Sequence, residues 1–430
     1  MKMLSTRKWM VSGLLWLLAS SVSVADEQHY VNMIIGDRAA GMGGAYTALA
    51  DDPAGCFYNP AGIAFAPNLS LSASVNAYNS EVKTYRDVLT GTDGGTQDWE
   101  QVSSSLLPNF FGLVRQFGGN GMLGMSYAVT DSIQRRQKQY FQDIRTEFAD
   151  NPADTVMINI NDSDRTYLFG PSYAYRFSDS LAMGATVYAY FRDREIIRNQ
   201  LIQFNQGQHI LINYYETRND WGIRPSLGAI WEPMEKLALG LSMSQVVVLN
   251  NETTRHDIYR NTAAAQPVNI DGLSYDFSDP DTIYFKSENT SDKPTLPVSL
   301  TFGAAYFVSP SLLFSGDVGW HSSADEKESV CNVFLGTEYY FRDDMAVRAG
   351  FYTDFANTPD LESGKVNQEE HIDIYGLSLS YTLFHRLTSV TLGVSYAFGA
   401  GEAQAISSTP VIQDADIQNL RVYISASYSN

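Results

Sequence analysis

The chain has 430 residues, of which 18% are charged and 44% hydrophobic, a balance that excludes a disordered chain or a coiled coil. Its 29 basic and 48 acidic residues leave a net charge of −19, which argues against a nucleic-acid partner held through release of phosphate counterions. Two cysteines, Cys56 and Cys331, exclude a disulfide scaffold and a four-cysteine zinc site.

Residues 1–25 read as a secretory signal peptide: a short basic start, a mostly apolar run over 9–22, and the small residues Ser23-Val24-Ala25 ahead of cleavage before Asp26. The alternative is a retained anchor, but an apolar run of roughly 14 residues falls short of the ~20 that a spanning helix needs. Residues 26–68 are rich in glycine (Gly36, Gly41, Gly43, Gly44, Gly55, Gly62) and their apolar residues lack a period of two. Because glycine permits tight turns and close backbone approach, this stretch is expected to pack as a hatch, or plug, inside a lumen. Gly41-Met42-Gly43-Gly44 is not a dinucleotide fingerprint, since the third glycine spacing and the preceding strand are missing.

From residue 69 the pattern changes to strict alternation. Leu69, Leu71, Ala73, Val75 and Ala77 interleave with Ser70, Ser72, Ser74 and Asn76, and Val390, Leu392, Val394 and Tyr396 interleave with Ser389, Thr391, Gly393 and Ser395. About fourteen such segments follow one another to the end of the chain, starting near Leu69, Pro108, Met122, Arg165, Leu181, Trp221, Lys236, Thr295, Ser311, Ser329, Asp344, His371, Arg386 and Ile417. Short turns (such as Ser178-Asp179-Ser180 and Arg342-Asp343) alternate with long polar connections, around 80–107, 131–164, 193–220 and 250–294 among others. Strict alternation of this kind predicts an all-β fold, an antiparallel transmembrane β-barrel over residues 69–430 with turns in the periplasm and loops outside. Phe117, Phe177, Trp231, Phe307, Phe341 and Phe384 each stand just before a short turn and predict an aromatic girdle; Phe307 and Phe384 fall on the inward set, with Tyr306 and Leu383 as lipid-facing neighbours.

In the connection after the third strand, Ile133, Tyr140, Phe141, Ile144 and Phe148 recur near helical spacing among Arg135, Arg136, Lys138 and Arg145. They suggest an amphipathic helix whose cations Arg135, Arg136 and Lys138 capture a carboxylate; the alternatives are a strand extended beyond the membrane or a basic loop against lipopolysaccharide phosphates. Asp162-Ser163-Asp164 and Asp279-Pro280-Asp281 lack a full calcium-loop pattern and read as solvated loops. The six histidines have no metal-ligand spacing and no Gly-x-Ser-x-Gly elbow is present, so no catalytic residue, metal or cofactor is expected and the chain is not read as an enzyme. A Cys56–Cys331 disulfide stays open, weighed against the need of a hatch to move.

The run Gly36-Asp37-Arg38-Ala39-Ala40-Gly41-Met42-Gly43-Gly44-Ala45-Tyr46, then Ala48-Leu49-Ala50-Asp51-Asp52-Pro53, then Phe57-Tyr58-Asn59-Pro60-Ala61-Gly62-Ile63, resembles the N-terminal hatch of the FadL/TodX outer-membrane transporters and of related PorV-type barrels. The resemblance implies a plugged fourteen-strand barrel in the outer membrane of a Gram-negative-type bacterium, in contact with its lipid and lipopolysaccharide. Such a barrel admits hydrophobic small molecules such as long-chain fatty acids by passive, hatch-gated diffusion. Asn59, Pro60 and Ala61, with Gly62 following, match that family's Asn-Pro-Ala hatch motif. The alternatives are a PorV-like accessory barrel, which implies a secretion-system partner, and a nonspecific aqueous porin.

Overall fold

The computed structural model describes residues 28–144, 153–204, 206–264, 267–270, 272–325, 327–406 and 410–430. The signal-peptide assignment, Arg145 and Phe148 lie outside the described residues.

The described residues form eighteen strands: β1 (Leu69–Thr90), β2 (Thr96–Gln116), β3 (Gly121–Ile144), β4 (Ala153–Ser178), β5 (Leu181–Phe204), β6 (His209–Met234), β7 (Leu237–Gln245), β8 (Val247–Asn261), β9 (Val268–Ile270), β10 (Leu273–Tyr275), β11 (Tyr284–Thr290), β12 (Val298–Ser309), β13 (Leu312–His321), β14 (Val330–Arg342), β15 (Met345–Asp354), β16 (His371–His385), β17 (Thr388–Ala403) and β18 (Gln413–Ser429). All pairings are antiparallel; β6 pairs with both β7 and β8, β12 pairs with β7 and β11 with β8, and β1 pairs with β18 from Ser70↔Ser429 to Tyr85↔Ala415, so the sheet closes on itself. β7 and β8 are one wall strand interrupted at Val246, and β11 and β12 are one interrupted over residues 291–297; β9 and β10 form a separate hairpin. Counted this way, the wall is a closed antiparallel barrel of fourteen strands.

Alternation sets the two faces. On β16 and β17 the small polar set Ser378, Ser380, Thr382, Ser389 and Thr391 is buried, whereas Leu377, Leu379, Val390 and Leu392 are exposed on the outside. This inversion of a soluble protein is what a lipid-facing wall requires. Phe117, Phe177, Trp231 and Phe341 form an exposed ring row near the short turns; Tyr306 and Leu383 are exposed too, while Phe307 turns inward onto the core. At the other level Tyr127, Tyr167, Phe191 and Trp221 stand side by side on adjacent strands, with ring centroids 6.4, 6.0 and 4.4 Å apart. Trp221 and Trp231 are ten residues apart on β6, which matches the roughly 9–11 residues with which a tilted strand crosses a bilayer.

Three polar stretches read as connections are strand instead. β2, β4 and β6 start at Thr96, Ala153 and His209, well before Pro108, Arg165 and Trp221. Beyond the outer ring row neither face of a strand meets lipid, so charged side chains are tolerated on both, and the backbone ladder continues without an apolar signature. Asp164 and Asp162 are accordingly not solvated loop residues: both are buried on β4, where Arg192 Nη2 lies 2.6 Å from Asp164 and Arg198 Nη2 lies 3.0 Å from Asp162.

Of the alternatives weighed for Ile133 to Phe148, the extended strand forms over the described part and the amphipathic helix does not, because β3 continues to Ile144 in register with β4. The spacing of its apolar residues fits both periods over so short a span, and the unbroken partner strand decides the outcome.

Candidate functional site

Residues 28–66 lie against the inward face of the wall and supply much of the main core: Ile35, Ala39, Met42, Tyr46, Ala50 and Ala54 pack with Tyr85, Phe110, Leu168, Tyr188, Tyr352 and Tyr423 of the strands. Their local structure is short: α1 (Asp37–Gly41), α2 (Gly55–Tyr58) and a 3-10 helix (Pro60–Phe65). Gly36, Gly41, Gly43 and Gly44 bracket α1. Gly43 has φ +65° and sits backbone to backbone on β15, where a Cβ at Gly350 would stand 2.1 Å from the Gly43 nitrogen. Neither position tolerates a side chain.

The Asn-Pro-Ala motif has a clear mechanical role. Asn59 is fully buried; its Oδ1 accepts the Ala61 N–H at 3.1 Å, capping the 3-10 helix that Pro60 opens, and its Nδ2 donates to the carbonyls of Thr47 at 2.8 Å and Ala229 of β6 at 3.1 Å. One side chain thereby ties two turns of the segment to the wall. Gly62 follows in the helix, buried beside Ala50.

Single buried acids on the strands hold the rest. Asp317 of β13 accepts the N–H groups of Tyr46 and Thr47 at 2.9 and 2.8 Å, and Asp354 of β15 those of Tyr30 and Val31 at 3.1 and 3.2 Å. Glu338 of β14 takes a two-point contact from Arg38, with Nε at 2.8 Å and Nη2 at 3.0 Å, and a third bond from Arg348 of β15 at 2.5 Å. Arg38 also reaches Asp51 at 2.6 Å. Asp52 is raised to about 7, first by desolvation and then by the like charges of Asp37 and Asp51. The sequence reading missed these wall anchors, although a charged residue at an inward, membrane-level strand position is a signal in itself.

The three cations proposed for carboxylate capture do not meet. Arg135 points inward, buried, its Nη2 4.0 Å from Glu81; Arg136 and Lys138 are exposed. Cys56 and Cys331 are free thiols, one buried and one exposed.

Above the segment lies a cavity of about 540 Å³, floored by His29, Tyr30 and Phe57 and walled by Leu168, Tyr190 and Arg224. That volume lies in the range of small-molecule sites, roughly 300–1,000 Å³. Arg224 has its guanidinium 4.5 Å over the Phe57 ring and donates through Nη2 to Ser244 at 3.1 Å; its buried Nη1 has no hydrogen-bond partner, and among the described residues no carboxylate pairs with it. Tyr30 stacks on His321 at 4.1 Å. Thr130 and Asp131 of β3 also line the cavity, at a place where the wall is unsealed. The β2–β3 ladder breaks between Phe110↔Ala128 and Ser103↔Arg135, opposite the exposed Leu106 and the donor-less Pro108.

A closed barrel with a lipid-facing belt, residues 28–66 packed against its inward face and a ligand-scale cavity beside them define an outer-membrane transport protein. The chain belongs to the outer membrane protein transport protein family (OMPP1/FadL/TodX), whose model matches residues 20–426. This is a family of transport channels, located in the outer membrane. Among solved structures, a Pseudomonas aeruginosa FadL homologue is similar at 14% identity and a TM-score of 0.61, covering 92% of this chain and 99% of that one. The Pseudomonas putida toluene transporter TodX gives 13% identity and a TM-score of 0.61 over 93% and 99%. The Ralstonia pickettii toluene transporter TbuX gives 14% identity and a TM-score of 0.54 over 92% and 98%. No curated protein matches the chain in sequence.

Proposed function

We propose that this protein admits hydrophobic small molecules with an anionic head group, typified by long-chain fatty acids, across the outer membrane by passive diffusion gated by residues 26–68. The single observation that carries the reading is Arg224. A guanidinium with an unpartnered nitrogen, stacked over an aromatic ring of the hatch beside the cavity, is a receptor for a carboxylate whose chain lies along Phe57, Tyr190 and Leu168. Each methylene taken out of water contributes roughly 0.8 kcal/mol, enough to draw such a molecule from a polysaccharide-coated surface. The gap between β2 and β3 then supports a lateral way out beside the cavity.

A neutral aromatic cargo is the second reading, favoured by the rings of Tyr30, Phe57 and Tyr190 and by likeness to structures titled as toluene transporters and a monoaromatic hydrocarbon channel. The two readings part at one side chain. A hydrogen bond to a charged group contributes about 1.5–3 kcal/mol, so Arg224→Met is expected to weaken palmitate binding by at least tenfold in calorimetry on the detergent-solubilised protein and to leave toluene binding unchanged. Palmitate bound equally well by both forms would remove the carboxylate site.

A further inference from the structure

The wall carries a second break, far in sequence from the first. β12 leaves β7 at Val298↔Gln245, and β11 rejoins β8 only at Thr290↔Thr253. Residues 246–252 and 291–297 therefore face each other with no backbone pairing, although Val247, Val248 and 250–252 stay paired to β6 on their other side, with Leu249 at a bulge. The cause is local. Pro294 and Pro297 supply no N–H to a ladder, and the N–H of Thr295 goes to Asp325 at 2.9 Å, in the loop beyond β13, rather than across to β8. Among the described residues, the side chain that spans the break is Gln245, whose Nε2 donates to the Leu296 carbonyl at 3.1 Å.

Behind the break lies the cavity, whose lining includes Val246, Pro294, Leu296 and Pro297. In front of it, Val247 and Leu249 are exposed on the lipid-facing side, and Trp221 of the outer ring row pairs with Asn250 at the same height. An unpaired stretch of wall at lipid level, backed by an apolar-lined cavity rather than by packed core, is a doorway and not a structural seal.

We propose that the β7/β8–β11/β12 seam is a second lateral portal, through which a hydrophobic molecule leaves the cavity for the outer leaflet, with residues 294–297 as its lid and the Gln245–Leu296 contact as its latch. The proposal rests on the transport reading above and adds a second exit to the one between β2 and β3. It also gives the proline-bearing segment a task that a sealed barrel would not need.

The test bridges the lid to the wall in the full-length protein. With Cys331→Ser as background, Gln245→Cys and Leu296→Cys are joined by a short bismaleimide and compared with the same double variant alkylated by N-ethylmaleimide. Uptake of radiolabelled palmitate is measured in cells lacking any other barrel of this family. Bridging is expected to lower uptake by more than half, with barrel abundance unchanged. In the unsubstituted protein, a photoactivatable C16 carboxylate is expected to label Val246 and Leu296, a readout that does not depend on the variants folding. Undiminished uptake after bridging, or labelling confined to the β2/β3 side, would overturn the portal alone. An unsubstituted protein that neither binds nor takes up palmitate would overturn the transport reading with it.

Discussion

Deleting residues 28–66 from the chain is expected to raise single-channel ion conductance in planar bilayers at least tenfold while leaving the barrel inserted. Those residues pack Ile35, Met42, Tyr46 and their neighbours against inward-facing side chains of the wall. The wall behind them is lined by small polar groups, among them Ser72, Ser74, Ser380, Thr382 and Thr391, which water can solvate once the filling is gone. Closure does not depend on the segment either, since β1 pairs directly with β18 along fifteen registered positions. Conductance equal to that of the intact chain, in a deletion variant of normal heat-modifiability, would contradict a lumenal hatch.

The second large effect is expected at Glu338. Its carboxylate is 1% exposed and is shared by Arg38 of the segment and Arg348 of the wall. Removing one partner of a buried ionic group costs about 3–5 kcal/mol, chiefly because charges are left unpaired. In Glu338→Gln the cost falls near the low end, since Arg38 keeps Asp51 at 2.6 Å. About 3 kcal/mol corresponds to roughly a hundredfold larger population of the detached segment. Hydrogen exchange followed by mass spectrometry is the measurement: amides of 38–47 should exchange much faster in the variant, with those of β16 and β17 unchanged. Uniform acceleration across the wall would mean that Glu338 holds the barrel rather than the hatch.

How much of this was legible in the sequence follows from which environment each residue meets. The membrane belt was readable because lipid on one face and the packed lumen on the other force alternation, and the fourteen wall strands follow from it. The extensions of β2, β4 and β6 were not readable, because where water or ionic partners lie on both faces nothing imposes a period. Arg192, Arg198 and Arg218 look like loop charges until Asp164, Asp162 and Asp220 are seen beside them.

At the candidate site, Asn59 to Gly62 stood out as a motif. The residues that hold the segment from the wall are lone acids in different strands, brought together only by closure of the barrel. Arg224 was equally silent: between Ile223 and Pro225 it reads as one more outer-strand cation, and only in three dimensions does its buried Nη1 stand without a hydrogen-bond partner among the described residues. Arg135, chosen for its cationic neighbours, turned out to face the opposite way from both of them.

The central claim, that hydrophobic molecules and not polar solutes pass through this barrel, is tested most directly by uptake into cells whose lipopolysaccharide-bearing outer membrane lacks other barrels of the family. Radiolabelled palmitate and a disaccharide of comparable mass are supplied in parallel, with and without the protein. Expression is expected to raise palmitate uptake at least fivefold and leave disaccharide uptake unchanged. An equal rise for both solutes would make the barrel an aqueous porin and contradict the account.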